Sequence, residues 1–291
     1  MSEKNKILVP VDFSAQSLIA LEQAANLAKV FNAEIVILRV AETSGVSSFF
    51  STKHMDEFMA ASEIQLKEFA AEHQKKTGVK MSPVVKKGKV YTEIVETAEE
   101  IKATIIVMGT NGADSGRKRF IGSNALRVVR ESNIPVITIK GQHHRKGCQN
   151  IILPLDLTKE TKEKVNTAIE FARRFGSTIR VVSVLFTSDE FIVNRLTRQL
   201  DQVKKFIEKS ALECSAEIIK STKGSETLAE VIIDYANKSK GDLIIIMTQQ
   251  ETEYTSYFIG SAAQEVINNS DIPVLSIIPQ PSKDTMIFTP Y

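Results

Sequence analysis

The chain has 291 residues, 43% of them hydrophobic and 25% charged, which excludes a disordered, collagen-like or heptad-only protein. Lys plus Arg number 37 against 35 Asp plus Glu, a formal charge of +2, so the composition carries no chain-wide footprint for nucleic acid. The length suggests two domains, each large enough to bury its own core, and two cysteines, Cys148 and Cys214, are too few for a disulfide framework.

The first residues, MSEKNKILVPVDF, lack the apolar core of a secretory signal. No apolar run approaches the length of a membrane-spanning helix. A cytoplasmic protein without membrane or nucleic-acid partners is therefore expected. Ile7-Leu8-Val9 predicts a short buried strand. Ser14 stands where a helix N-cap would, and Leu18, Leu21, Ala25 and Ala28 follow helical spacing. Ile35 to Val40 predicts a second strand. A long amphipathic helix follows, from about Met55 to Lys76, then a strand near Val84-Val85. A helix from about Thr92 to Lys102 leads into the strand Thr104 to Met108. A last helix after Gly122 precedes the strand Val136 to Ile139. Strand and helix alternate throughout, which predicts a doubly wound α/β domain: a five-stranded parallel sheet with helices on both faces. In such sheets the ligand crevice lies beyond the carboxyl ends of the strands, where the strand order reverses.

The chain then repeats itself. Lys6 to Val40 aligns without gaps with Asn150 to Val184 at an offset of 144, pairing Pro10 with Pro154 and Asp12 with Asp156. Phe120-Ile121-Gly122-Ser123 matches Phe258-Ile259-Gly260-Ser261 at an offset of 138. Two tandem domains are expected: 1–141, a linker at 142–148, and 149–291.

Chemistry concentrates after the fourth strand, in Met108-Gly109-Thr110-Asn111-Gly112, a nine-residue stretch, and Gly122-Ser123-Asn124. Gly109, Gly112 and Gly122 would let the backbone approach a ligand and adopt positive φ. Ser123 adds a hydroxyl beside the unpaired amides of a helix start, a place that attracts phosphate. Arg117, Lys118 and Arg119 lie inside the loop, either to close over phosphates or as a solvated face. The segment is neither a P-loop nor a dinucleotide fingerprint.

Gly109-x2-Gly112-x9-Gly122-Ser123 resembles the nucleotide-binding pattern of the universal stress proteins, and Ile7-Leu8-Val9-Pro10-Val11-Asp12-Phe13-Ser14 is similar to that family's first strand. The resemblance covers nearly all of both halves. It implies an adenine-nucleotide site, with ATP as the expected ligand, and a role in stress survival or signalling. Carried over by position, it implies that Pro10, Val11 and Asp12 border base and ribose and that Val40 packs on adenine. Met108, Gly109, Gly112, Gly122, Ser123 and Asn124 would frame ribose and phosphates. A divalent cation such as Mg on the phosphates is compatible with the motif. The family's habit of pairing domains through their last strands implies an internal pseudo-dimer, which leaves room for a further homodimer.

The second half departs from the pattern. Met247 falls at the Gly109 position and Gln250 at the Gly112 position, and Thr255-Ser256-Tyr257 replaces the basic trio. Its expected role is structural or partner-binding, with ATP bound weakly or not at all. Each motif also has a plainer reading. Asp12 and Asp156 suit a turn or cap. Gly122 and Gly260 suit close helix–sheet packing. His143, His144 and Cys148 lack a fourth metal ligand and read as solvated linker residues; His54 and His73 read as exposed. Cys214 reads as a small buried hydrophobe, and Ser47 to Ser51 as a flap. Three functions compete: a nucleotide-dependent regulator with an unidentified protein partner, a slow ATPase or nucleotidyl-transfer enzyme with Asp12 its only well-placed acid, and a nucleotide-independent scaffold. No catalytic residue and no metal ligand emerges.

Overall fold

The structure is a computed structural model, and it describes residues 5–42, 52–110, 121–141, 147–155, 161–221, 226–248 and 260–278, with the backbone alone at 52–56 and 161. The chain divides into two compact units between residues 146 and 147.

In the first unit the elements run β1 (Lys6–Pro10), α1 (Ala15–Phe31), β2 (Glu34–Glu42), α2 (Thr52–Thr77), β3 (Met81–Gly88), α3 (Val90–Glu100), β4 (Ile105–Gly109), α4 (Ser123–Glu131) and β5 (Val136–Ile139). The strands lie in the order β3-β2-β1-β4-β5 and pair in parallel. The chain therefore winds outward from β1 through β2 to β3, then crosses back to β4 on the other side of β1. Right-handed crossovers in opposite directions put α1 and α3 on opposite faces. The strands are apolar runs because both faces are covered: Leu8, Val9, Ile35, Ile37, Leu38, Ile106 and Val107 are all fully buried. Helix α1 packs through small residues, Ala20, Ala24, Ala25 and Ala28, which bring it close to the sheet. Its N-cap is Ser14, whose Oγ accepts from Ser17 N–H at 3.2 Å.

The second unit repeats this plan with β6 (Asn150–Pro154), α5 (Thr161–Phe175), β7 (Thr178–Leu185), α6 (Glu190–Glu208), β8 (Cys214–Lys220), α7 (Leu228–Lys238), β9 (Leu243–Met247), α8 (Ser261–Asn269) and β10 (Val274–Ile277). Its order is β8-β7-β6-β9-β10, again with parallel pairs. Val165, Ala168, Ile169 and Ala172 form the buried face of α5, while Phe175 at its end is half-buried.

Two side chains sit deeper than their sequence context suggests. Cys148 is buried rather than solvated, with its carbonyl accepting from the Ser177 hydroxyl. His73 is half-buried, with its ring 4.1 Å from that of Phe69. Cys214, read as a buried hydrophobe, is only half-buried, although burial still pushes its thiol up to about 11. Among the described residues no group of three or more His, Cys, Asp or Glu could hold a metal ion, and no helix is long and apolar enough to cross a membrane. His143, His144, the 47–51 stretch and Arg117 to Arg119 lie outside the described residues.

Candidate functional site

The crevice beyond the carboxyl ends of β1 and β4 holds a cavity of about 440 Å³. It lies where the strand order reverses, the position at which open α/β sheets bind ligands. Pro10, Val11, Asp12, Val40, Met108, Gly109, Gly122, Ser123 and Asn124 all line it. Gly112, Asp156 and Gln250 lie outside the described residues.

Each wall has a local cause. Val11 N–H donates to Leu38 O at 2.8 Å, which carries the sheet ladder one residue past β1. The chain then turns sharply: the Asp12 carboxylate accepts from Ser14 N–H at 3.0 Å, and Phe13 takes a φ of 62°. Asp12 thus makes the turn that its plainer reading gave it, while also lining the cavity. Phe13 is held in this uncommon backbone region by its ring, which meets Phe69 edge-on at 5.2 Å. Half-buried Val40 near the end of β2 and buried Met108 in β4 supply apolar surface, and Val90 and Ile94 of α3 add to it.

The polar end is the start of α4. Gly122 is its N-cap and carries no side chain to cap the first-turn amides. Gly122 N–H donates to Thr110 O at 2.6 Å and so closes the loop between β4 and α4. Thr110 N–H in turn donates to Ile139 O at 3.0 Å. The loop ends are therefore pinned to the sheet and set the helix start against the crevice.

Two glycines work differently from the expectation. Among the described glycines only Gly78 and Gly176 have positive φ. Gly122 has φ −63° and ψ 149°, open to any residue. A Cβ on Gly109 would meet Gln16, the second residue of α1, at 3.0 Å. Gly109 is thus a packing glycine that lets α1 approach β4. One on Gly122 would meet Thr110 O at 3.1 Å, tight but not closed.

The sequence reading missed Arg39. It lines the cavity from β2, its Nη1 lies 3.4 Å from Val11 O, and its guanidinium carbon is 5.2 Å from the centroid of the Phe13 ring. The signal was available: it is the one charge inside the apolar run from Ile35 to Val40. Thr110, Glu42 and exposed Phe58 also line the cavity.

The second unit keeps the frame and changes the lining. Gly260 N–H donates to Thr248 O at 3.0 Å, the counterpart of the Gly122–Thr110 bond. Ser183, at the Arg39 position, donates from Oγ to Leu155 O at 2.7 Å, the counterpart of the Val11 carbonyl. Met247 pairs with Ile277 as Gly109 does with Ile139, and lines a cavity of about 310 Å³. That space is smaller than the first and is not closed.

The family model described as "Universal stress protein family" matches residues 4–140 and again 147–277. A universal stress protein of Methanocaldococcus jannaschii is 37% identical over 142 residues, 46% of this chain and 81% of that protein. The crystal structure of a universal stress protein from Archaeoglobus fulgidus overlays with a TM-score of 0.76 at 20% identity, covering 95% of this chain and 97% of that one. A second Archaeoglobus fulgidus universal stress protein, solved in complex with dAMP, covers 45% of this chain and 98% of its own, at 23% identity and a TM-score of 0.37. Two successive family matches spanning nearly the whole chain make the assignment direct: the chain belongs to the universal stress protein family, with two such domains in tandem.

Proposed function

We propose that the first unit binds an adenine nucleotide, ATP, and that the chain acts as a nucleotide-dependent regulator in a stress response. The observation that carries this reading is the convergence, on one crevice, of every described residue that the glycine pattern and first strand nominate. The cavity suits such a ligand in size and chemistry. Its volume of about 440 Å³ falls within the usual ligand range of roughly 300–1,000 Å³. Val11, Val40 and Met108 offer surface to a base, and the uncapped start of α4 and Arg39 offer positive potential to phosphates. A bound divalent cation would neutralise phosphate charge. Apolar burial plus several amide contacts corresponds to about −8 kcal/mol, the micromolar range.

The second unit, on this proposal, binds ATP weakly or not at all and serves a structural or partner-binding role. Gly109 becomes Met247, Arg39 becomes Ser183, and the cavity is smaller. Regulation requires ATP to favour one of two surface states that a partner distinguishes. Asp12 is engaged by Ser14 N–H, which favours a binding role over that of a general base.

Calorimetry of the full chain with ATP should give one site per chain in the micromolar range. Mass spectrometry of the denatured, freshly purified protein should release an adenine nucleotide. Two equal sites would overturn the asymmetry, and a folded chain that binds none would overturn the reading itself.

A further inference from the structure

Among the described residues that line the first crevice, the one aromatic ring is that of Phe58. Its place follows from the path of α2. β2 and β3 are parallel, so the helix that joins them begins at the carboxyl ends of the strands, where the crevice lies, and runs back to the start of β3. Its inward face is the stripe Ser62, Leu66 and Ala70, all buried. The Gln74 side-chain oxygen accepts from Met81 N–H at 2.9 Å, and Phe69 meets Phe13 edge-on, so the helix is fixed both to β3 and to the turn after β1. Phe58 continues the inward stripe one turn towards the helix start. It is nevertheless 50% exposed, because what lies inward of it is the cavity rather than the sheet.

The remaining walls divide by strand order. β2 and β4 lie on opposite sides of β1. Ala41 and Glu42 at the end of β2, with Val90 at the start of α3, stand on the side of Phe58. Gly109, Thr110 and the start of α4 stand on the other. Phosphates at α4 would leave the base, the far end of the nucleotide, beside Phe58. A half-exposed ring there does what an aliphatic wall does not: it stacks on a flat heterocycle, and gains more from a larger one. In the second unit α6 reaches its cavity through Leu196, which is buried, and no aromatic side chain stands among the described residues of that lining.

We propose that Phe58 is the stacking platform for the nucleobase and gives the site a preference for purine over pyrimidine nucleotides. The proposal rests on the nucleotide reading of the first crevice and adds to it the residue that reads the base.

The test uses the full chain. It contains no tryptophan, so Phe58→Trp places a single indole in the protein, at the platform itself. ATP should quench that indole saturably. Sodium tripolyphosphate, which brings the charge without the base, should leave its emission unchanged. By calorimetry, Phe58→Ala should weaken ATP and AMP by the same factor, about tenfold or more, because both carry the same base. The wild-type chain should bind ATP about fivefold or more tighter than UTP, and Phe58→Ala should bring the two within about twofold. Phe58→Tyr, which keeps a ring, should retain most of the affinity for ATP. Far-UV circular dichroism melts establish that each variant is folded. Wild-type calorimetry separates two ways of failing. A chain that binds no ATP removes the nucleotide reading and the platform together. A chain that binds ATP keeps the reading, and the platform alone falls if Phe58→Ala binds ATP as tightly or keeps the ATP-to-UTP ratio. It falls equally if ATP leaves the indole unquenched, or if tripolyphosphate quenches it as deeply as ATP.

Discussion

Gly109 and Gln16 meet almost backbone to backbone: a Cβ on Gly109 would lie 3.0 Å from Gln16 Cβ and 3.1 Å from its carbonyl carbon. Gln16 also donates from Nε2 to Lys140 O at 3.1 Å, so the start of α1 is tied to the chain just after β5. The helix cannot easily withdraw to admit a methyl group. Gly109→Ala should therefore destabilise the first unit by about 1–3 kcal/mol, the usual cost of overpacking. Urea denaturation checks this. ATP affinity should fall in parallel, because displacing the first turn of α1 moves Ser17, which also lines the crevice. Wild-type stability in the variant would show that α1 shifts freely.

Gly122 offers a cleaner separation of fold from ligand. Its φ of −63° suits any residue, and its N-cap position favours an acceptor side chain. In Gly122→Asp the carboxylate would cap the α4 amides while its Cβ crowds Thr110 O at 3.1 Å. These effects oppose, so net stability should change by less than about 1 kcal/mol. The new charge would stand where the phosphates are proposed, and like charges there should weaken ATP about 100-fold. Calorimetry decides the point: unchanged affinity would place the phosphates elsewhere.

Arg39 couples the fold to the site through Phe13. Its guanidinium covers one ring face at 5.2 Å, and the ring helps hold a backbone φ of 62°. Arg39→Met keeps a stem of similar length and removes the charge. Stability should fall by roughly 0.5–1 kcal/mol, the value of an exposed cation–π contact. ATP affinity should fall by about tenfold and depend less on salt than in the wild-type chain. An unchanged salt dependence would remove Arg39 from the phosphate field.

The sheet was legible because its strands are buried on both faces and read as unbroken apolar runs, and because the duplication states the same plan twice. The crevice was legible because strand order and glycine spacing point to one place. What the sequence hid was the work of individual side chains. Gly109 looks like a ligand glycine, yet its neighbour is Gln16, more than ninety positions away in sequence. Arg39 stands out as the one charge in an apolar run, but its contact with Phe13, whose positive φ no residue type announces, is not written there. For Gly109 and Arg39 the deciding contact joins distant segments, and periodicity carries no information about it.

Alkaline pH should expose a weakness in the second unit. Burial pushes the Cys214 thiol up from 9.0 to about 11. Burial also raises Tyr235, helped by the hydrogen bond its hydroxyl donates to Glu217 Oε1 at 2.9 Å. Both are acids that hold their protons more tightly folded than unfolded. Above pH 9 the unfolded chain begins to lose protons that the native chain keeps, so stability falls as pH rises. The contribution is intact below the unfolded values and is lost through the window from 9.0 to about 11, with Tyr235 adding above its ordinary 10.0. Urea midpoints taken from pH 8 to pH 11 should decline in the wild-type chain. The decline should be shallower in Cys214→Ala combined with Tyr235→Phe, which itself should cost about 1–2 kcal/mol at neutral pH through the lost hydrogen bond. The same protection should appear chemically: at pH 9 about 1% of Cys214 would be thiolate against half of an ordinary thiol, so peptide-mapped alkylation should run roughly 50-fold slower. Parallel pH slopes in the two proteins, together with alkylation at the rate of a free thiol, would show that water reaches Cys214 and Tyr235 in the folded unit.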